Sequence, residues 1–355
     1  MKSVKLFLSA VAIVALSFLL YNEYFGEKTV KPVNYTFVVP QKPGGGTSVW
    51  ASIVAEQLQK FLPGTITIKH IPGARDIPGF NKWHNDLRQD DTMIMVSHGG
   101  NGVSFLQENV DYDYRKYESV GLMNLNIIAG KLIGADMNYP KFAAGSGQVP
   151  EAYAMAMLIC GPMINYEACF AKHVTWVAGM SGSDRRLAFK RGELNGTREN
   201  PAAYKKHVES MDTAEVWFHH GVLDLETGEH GPDVNYPTKQ FEDLYFLKWG
   251  VTAQGDFYDA YKLVKSFRDG MQKALWVDQG NPNLAELRAA LTAMAADPEA
   301  VAAIQKKVGV YDWVIGEAGN ALRDILMTFI SAEALDTLVK FNKDALGLDS
   351  VRKEF

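Results

Sequence analysis

Val38-Val39-Pro40-Gln41-Lys42-Pro43-Gly44-Gly45-Gly46-Thr47-Ser48 is the stretch on which the reading of this chain turns. A short β-like run, Tyr35 to Val39, enters a turn at Pro40. Three glycines follow, and Thr47 and Ser48 open a helical segment with Trp50, Val54, Leu58 and Phe61 on one stripe. The order strand, glycine turn, helix start gathers unpaired backbone N–H groups at the positive end of a helix dipole, where anions bind. Glycine lets that backbone approach a ligand closely. The stretch lacks the Gly-Lys-Ser/Thr ending of a phosphate loop and is not the Gly-x-Gly-x-x-Gly of a dinucleotide turn. Taken alone, it is equally a tight turn with no ligand.

Working outward, residues 33–130 alternate β and α. Thr65 to Lys69 reads as a second strand and Phe80 to Leu87 as a short helix. Thr92 to Ser97 is a third strand, apolar enough to be buried on both faces, and it ends in His98-Gly99-Gly100-Asn101-Gly102. The β-α-β-α-β order predicts a parallel sheet with both glycine turns at its carboxyl edge, where open α/β sheets bind ligands. Tyr117 to Ala135 is an apolar, extended crossing. The device then recurs twice. A strand from Tyr139 to Ala143 precedes Gly145-Ser146-Gly147-Gln148 and a helix from Pro150 to Cys160. A strand from His173 to Ala178 precedes Met180-Ser181-Gly182-Ser183 and a helix from Asp184 to Arg191. Four junctions in two units predict two lobes facing each other across a cleft. The first lobe is expected to comprise 33–130 and 249–355, the second 131–248. Further on, Glu215 to His220 reads as a strand, Phe241 to Thr252 as the segment returning to the first lobe, and Phe257 to Trp276 as one helix. Asn281-Pro282 and Asp297-Pro298 have the form of helix starts. A short strand lies within Gly309 to Ile315, and a helical tail covers Glu317 to Asp344.

The chain has 355 residues, 47% hydrophobic and 22% charged, with a formal net charge of −5. This is ordinary globular composition for two domains, and it lacks the basic clustering of a nucleic-acid surface. Lys2 and Lys5 precede an uncharged stretch from Leu6 to Asn22, the pattern of export. Residues 1–22 are therefore expected to be a cleaved signal peptide or a retained N-terminal membrane anchor, with 23–32 as a polar tether, which places the protein outside the cytoplasm in an oxidising compartment. In that oxidising compartment Cys160 and Cys169 pair as a disulfide or remain two buried thiols. His219, His220, Asp224, Glu226, Glu229, His230 and Asp233 carry metal-ligating chemistry, which keeps a metal-dependent hydrolase open as an alternative. A solvated loop is the simpler account, because adjacent side chains on a strand point to opposite faces. His98 is a pocket donor or base, or a cap on its own loop. The tyrosine- and charge-rich run Asp111 to Glu118 reads as a solvated lobe surface.

Several of these segments form an ordered series. Val38 to Ala51, Ile71-Pro72-Gly73-Ala74, Phe142 to Gly147, Gly182 to Asn195, Pro232-Asp233 with Pro237-Thr238, and Asp297 to Gly309 resemble, in order, the motifs of one family. It is that of the periplasmic solute receptors of tripartite tricarboxylate transporters, the TctC or Bug-type receptors. Arg75-Asp76-Ile77-Pro78-Gly79 departs from the family's Gly-Gly-Asn-Ile-Gly, and residues 196–240 match poorly. The resemblance implies an α/β, two-lobed periplasmic-binding-protein fold of the type II, Venus-flytrap kind, each lobe a mixed, mostly parallel sheet flanked by helices. It implies a monomeric receptor rather than an enzyme, with no cofactor. Such a receptor would capture a small di- or tricarboxylate and deliver it to integral membrane permease subunits; an exported sensor domain is the alternative within the same fold. The matching ligand positions are Gly44, Gly45, Gly46, Thr47, His98, Gly99, Gly100, Asn101, Gly145, Ser146, Gly147, Gln148, Met180, Ser181, Gly182 and Ser183, acting largely through backbone amides.

Overall fold

The computed structural model describes residues 32–106, 110–144, 150–162, 165–309 and 312–355. The expected export segment 1–22, nearly all of the tether, and the turn Gly145–Gln148 lie outside the described residues. Among the described residues no helix is long and apolar enough to cross a membrane.

The chain runs β1 (Tyr35–Val39), α1 (Gly46–Leu58), β2 (Ile66–His70), α2 (Ile77–Lys82), β3 (Met93–His98), α3 (Gly99–Phe105) and β4 (Tyr117–Met123). It then crosses to β5 (Ile128–Leu132), β6 (Lys141–Ala144), α4 (Pro150–Cys160), α5 (Tyr166–His173), β7 (Thr175–Ala178), α6 (Gly182–Lys190), β8 (Gly196–Glu199), α7 (Pro201–Tyr204), β9 (Ala214–His219), β10 (Val222–Leu223), β11 (His230–Gly231) and α8 (Phe241–Trp249). It returns through α9 (Asp256–Gly270) to β12 (Lys273–Asp278), α10 (Leu284–Ala296), α11 (Pro298–Val308), β13 (Trp313–Ile315), α12 (Glu317–Thr328) and α13 (Ala332–Asp344).

The first lobe holds a six-stranded mixed sheet in the order β13-β4-β12-β3-β1-β2. β1 is parallel to both β2 and β3, as the alternating pattern requires, while β12 enters antiparallel between β3 and β4. Phe37, Val38, Val39, Ile94, Met95 and Val96 are fully buried, so these strands read as unbroken apolar runs. The second lobe has β8-β5-β9, all antiparallel, beside the parallel pair β6-β7. Cys160 and Cys169 are disulfide-bonded with their Cα atoms 6.2 Å apart, tying the end of α4 to α5.

Two local expectations are corrected, and a third segment gains a defined element. The helix expected over Phe257–Trp276 stops at Gly270, and Lys273–Asp278 is instead a central strand. Leu275, Trp276 and Val277 are all fully buried there, and a short run buried on every side has no period that separates helix from strand. The segment Phe241 to Thr252 holds the helix α8, Phe241–Trp249, ended by Gly250 in the left-handed conformation (φ 73°). The run Asp111 to Glu118 is not a solvated surface. Tyr112, Tyr114 and Tyr117 are fully buried with Phe80 and Trp83, Phe80 stacking on Tyr112 at a centroid separation of 3.9 Å. The charges at Asp111 and Arg115 alternate outward from this aromatic cluster.

Candidate functional site

Between the two sheets lies a cavity of about 510 Å³. From the first lobe it is lined by Gly46 and Trp50 of α1, Arg268 at the end of α9, and Lys273 at the start of β12. From the second lobe come Arg185 and Arg186 of α6, and Arg198 and Glu199 of β8. Lys306 and Lys307 of α11 stand at the rim. Glu199 is the one carboxylate among the described lining residues.

The cations differ in how far they are neutralised. Glu199, buried at 4% exposure, receives the fork of Arg186 (Nε 3.0 Å, Nη2 2.8 Å) and one bond from Arg185 Nη2 at 3.2 Å. Arg198 Nη1 donates to Glu151 Oε1 at 3.3 Å. Glu151 is wholly enclosed; burial pushes its carboxyl up, but Arg198, His220 and Arg268 together outweigh this and hold it below the ordinary carboxylate range. Behind it His220 Nδ1 lies 2.8 Å from Asp269 Oδ2, and burial raises the Asp269 carboxyl. Arg268 forms no ion pair with a described residue, and its Nε is buried without a partner. Burial, followed by repulsion from Arg198, lowers its guanidinium to about 9. Among the described residues the Lys273 ammonium bonds its neighbour Gln272, through the carbonyl at 3.1 Å and Oε1 at 3.4 Å. Burial and then Arg268 lower its ammonium to about 7, against a weaker opposing pull from Asp76. Nε of Arg185 and of Arg198 are also buried and unpartnered. A buried, uncompensated cation is costly, so this arrangement favours an incoming anion.

The glycine turns are placed differently from one another. Gly46 begins α1 and lines the cavity, with open space where a Cβ would stand. Beside it the amides are occupied: Gly44 N donates to Ser48 Oγ (3.3 Å), Gly45 N to the Lys42 carbonyl (3.3 Å) and Thr47 N to Gln41 Oε1 (3.1 Å). In the second turn Gly99 N donates to the Gln272 carbonyl at 3.2 Å and Gly100 N to His98 Nδ1 at 3.0 Å. A Cβ on Gly99 would stand 2.0 Å from the Arg268 carbonyl oxygen, so this glycine is required by close packing of α3 on α9. His98 caps α3, and Asn101 Oδ1 returns a bond from the His98 amide at 3.1 Å. Because His98 Nδ1 accepts, its proton sits on Nε2 and is donated to Asp76 Oδ2 at 2.7 Å. Met180 N donates to the Ala144 carbonyl at 3.2 Å, and Ser181 caps α6, accepting from Asp184 N at 3.2 Å. Gly182 and Ser183 belong to that same helix start, which brings Arg185 and Arg186 into the cavity.

The histidines and acids of the hydrolase alternative are separately engaged. His219 Nε2 donates to the Tyr236 carbonyl at 2.7 Å, His220 faces Asp269, and Asp224 accepts the amides of Glu226 and Thr227. Among the described residues no three His, Cys, Asp or Glu side chains are grouped to hold a metal ion.

No protein-family model matches the chain, and no curated protein matches it in sequence. Solved structures do match in fold. A TctC solute-binding protein from Polaromonas superposes with a TM-score of 0.58 at 13% identity, over 86% of this chain and 99% of that one. The periplasmic binding protein BugD gives 0.55 at 14% identity, over 88% and 98%. MatC from Rhodopseudomonas palustris, with bound malate, gives 0.53 at 16% identity, over 88% and 99%. This chain therefore has the two-lobed α/β fold of the periplasmic solute-binding proteins of the TctC and Bug kind.

Proposed function

We propose that the protein is an extracytoplasmic receptor that captures a small organic di- or tricarboxylate between its lobes and presents it to the membrane subunits of a tripartite transporter. One observation carries this reading: a cavity between the two sheets is lined by Arg185, Arg198, Arg268 and Lys273 against the single carboxylate of Glu199, and each of these three arginines keeps a buried Nε that no described group uses. Guanidinium forks suit planar carboxylates, and water-excluding closure strengthens each bond. The malate in MatC is a ligand of this chemistry. Gly46 and the start of α1 would complete the first-lobe wall, with the turn at Met180–Ser183 on the second lobe. The lobes are read as 33–130 with 249–355, and 131–248, joined through the crossing before β5 and the return into α9. No group here is asked to do catalysis. Export to the periplasm, with residues 1–22 either cleaved as a signal peptide or retained as an anchor, belongs to the same reading. The test is thermal denaturation of the purified chain against succinate, malate, citrate and aromatic acids. A ligand at a hundred times its dissociation constant stabilises by about 2.7 kcal/mol, a shift of several degrees. No shift with any organic acid would refute the receptor reading.

A further inference from the structure

The donors left over in the cleft have a geometry of their own. Arg185, Arg198 and Arg268 come from three different elements, α6, β8 and α9, and each is at least nine-tenths buried. Glu199 and Glu151 already answer one edge of Arg185 and one nitrogen of Arg198. What remains without a partner is Nε of Arg185, Nε of Arg198 and Nε of Arg268, with the Lys273 ammonium, bonded to Gln272, beside them in the cavity lining. A carboxylate offers two oxygens in one plane and one negative charge. Seated on the Arg268 fork, it leaves the two second-lobe Nε donors buried and unsatisfied, each at a cost. A phosphoryl group offers three terminal oxygens that diverge in three directions and a charge between −1.5 and −2 near neutrality. It can meet three guanidiniums at once, and the added charge answers the mutual repulsion of Arg198 and Arg268.

Resting on the receptor reading above, we infer that the headgroup held by Arg185, Arg198 and Arg268 is a tetrahedral dianion, a phosphonate or phosphate monoester, carried on a small carboxylic acid. The carboxylate end then lies toward Gly46 and the lysines of α11. The full chain is titrated calorimetrically with a matched pair, succinate and 3-phosphonopropionate, which differ only in one headgroup. Tricarballylate, three planar carboxylates, controls for total charge, and 3-phosphoglycerate distinguishes an ester from a carbon–phosphorus bond. The expected result is that 3-phosphonopropionate binds at least about tenfold tighter than both succinate and tricarballylate. Arg268→Lys, which keeps the charge and loses the fork, should reduce that preference to below about threefold while the variant melts cooperatively. Equal or tighter binding of succinate or tricarballylate overturns the inference and leaves the carboxylate receptor standing. Phosphonate binding with no response to any di- or tricarboxylate retires the carboxylate reading and keeps the headgroup assignment. The matched-pair comparison on the unaltered protein decides the matter even where the variant does not fold.

Discussion

The turn at Gly99 and the strand at Arg198 are the two regions to set side by side. The turn has every outward mark of an anion site: a strand end, consecutive glycines and a helix start. Its amides are nevertheless occupied, by the Gln272 carbonyl and by His98 Nδ1. Gly-Thr-Arg-Glu of β8 looks like a polar surface strand, yet all four residues are buried and its arginine keeps an unused donor. The lesson is that a donor counts toward binding only when the fold has left it without a partner. Glycine in such turns serves two unrelated needs, and close approach of a helix is one of them.

Glu151→Gln removes the carboxylate that answers Arg198 and leaves that guanidinium enclosed and unpaired. We expect a loss of about 3–5 kcal/mol by chemical denaturation, whereas Arg268→Met, which removes a buried charge that no described carboxylate contacts directly and gives up only a through-space pull on Glu151 and Asp269, should be neutral or stabilising by about 1–3 kcal/mol while anion binding falls. If both variants lose stability equally, Arg268 is compensated and the contrast fails. Gly99→Ala drives a methyl onto the Arg268 carbonyl and should cost about 1–3 kcal/mol, against less than about 0.5 kcal/mol for Gly46→Ala at the open turn. Equal costs would show that the two turns are packed alike.

Lys273 gives the smallest and most pH-dependent effect. Its folded value of about 7 lies below the ordinary 10.5, so between those limits the unfolded chain binds more protons than the folded one. Its contribution to stability therefore rises with pH across that window, and the full cost of enclosing the charge is present below about 7. Lys273→Met should stabilise more at pH 6 than at pH 10, by at least about 1 kcal/mol. Anion binding favours the charged form, so affinity should fall as pH rises above about 7 in the parent and fall less in the variant. A stability difference that does not change with pH would refute this account of Lys273.

Much of the architecture was legible in the sequence. The parallel core β1, β2, β3 followed from apolar runs separated by helical stripes, and Asp297-Pro298 marked the helix that begins there, with Asp297 Oδ1 accepting from Ala300 N at 2.8 Å. The cationic cleft was not legible, and for a definite reason. Its residues sit at 185, 198, 268 and 273, brought together only by the crossing and return between sheets. Two of them lie on the strands that periodicity missed: β8, polar yet buried, and β12, apolar on both faces. The signal that existed was chemical. Arg185-Arg186 lies thirteen residues before Arg198-Glu199, within a stretch from Asp184 to Glu199 that holds five cations against three acids.

Arg75 and Asp76 are both left-handed, with φ of 53° and 63°, a conformation that costs an L-residue roughly 1–2 kcal/mol. The bend aims the Asp76 carboxylate at Gln41 Nε2 (2.9 Å) as well as His98, and Gln41 in turn holds the Thr47 amide. One strained hinge of backbone thus clasps both glycine turns to a single carboxylate. Substituting Gln41, Asp76 or His98 disturbs the two turns together, so this wall of the cleft resists piecemeal change. New ligand preferences are more readily acquired on the facing wall, by exchanging individual side chains along β8 and α6.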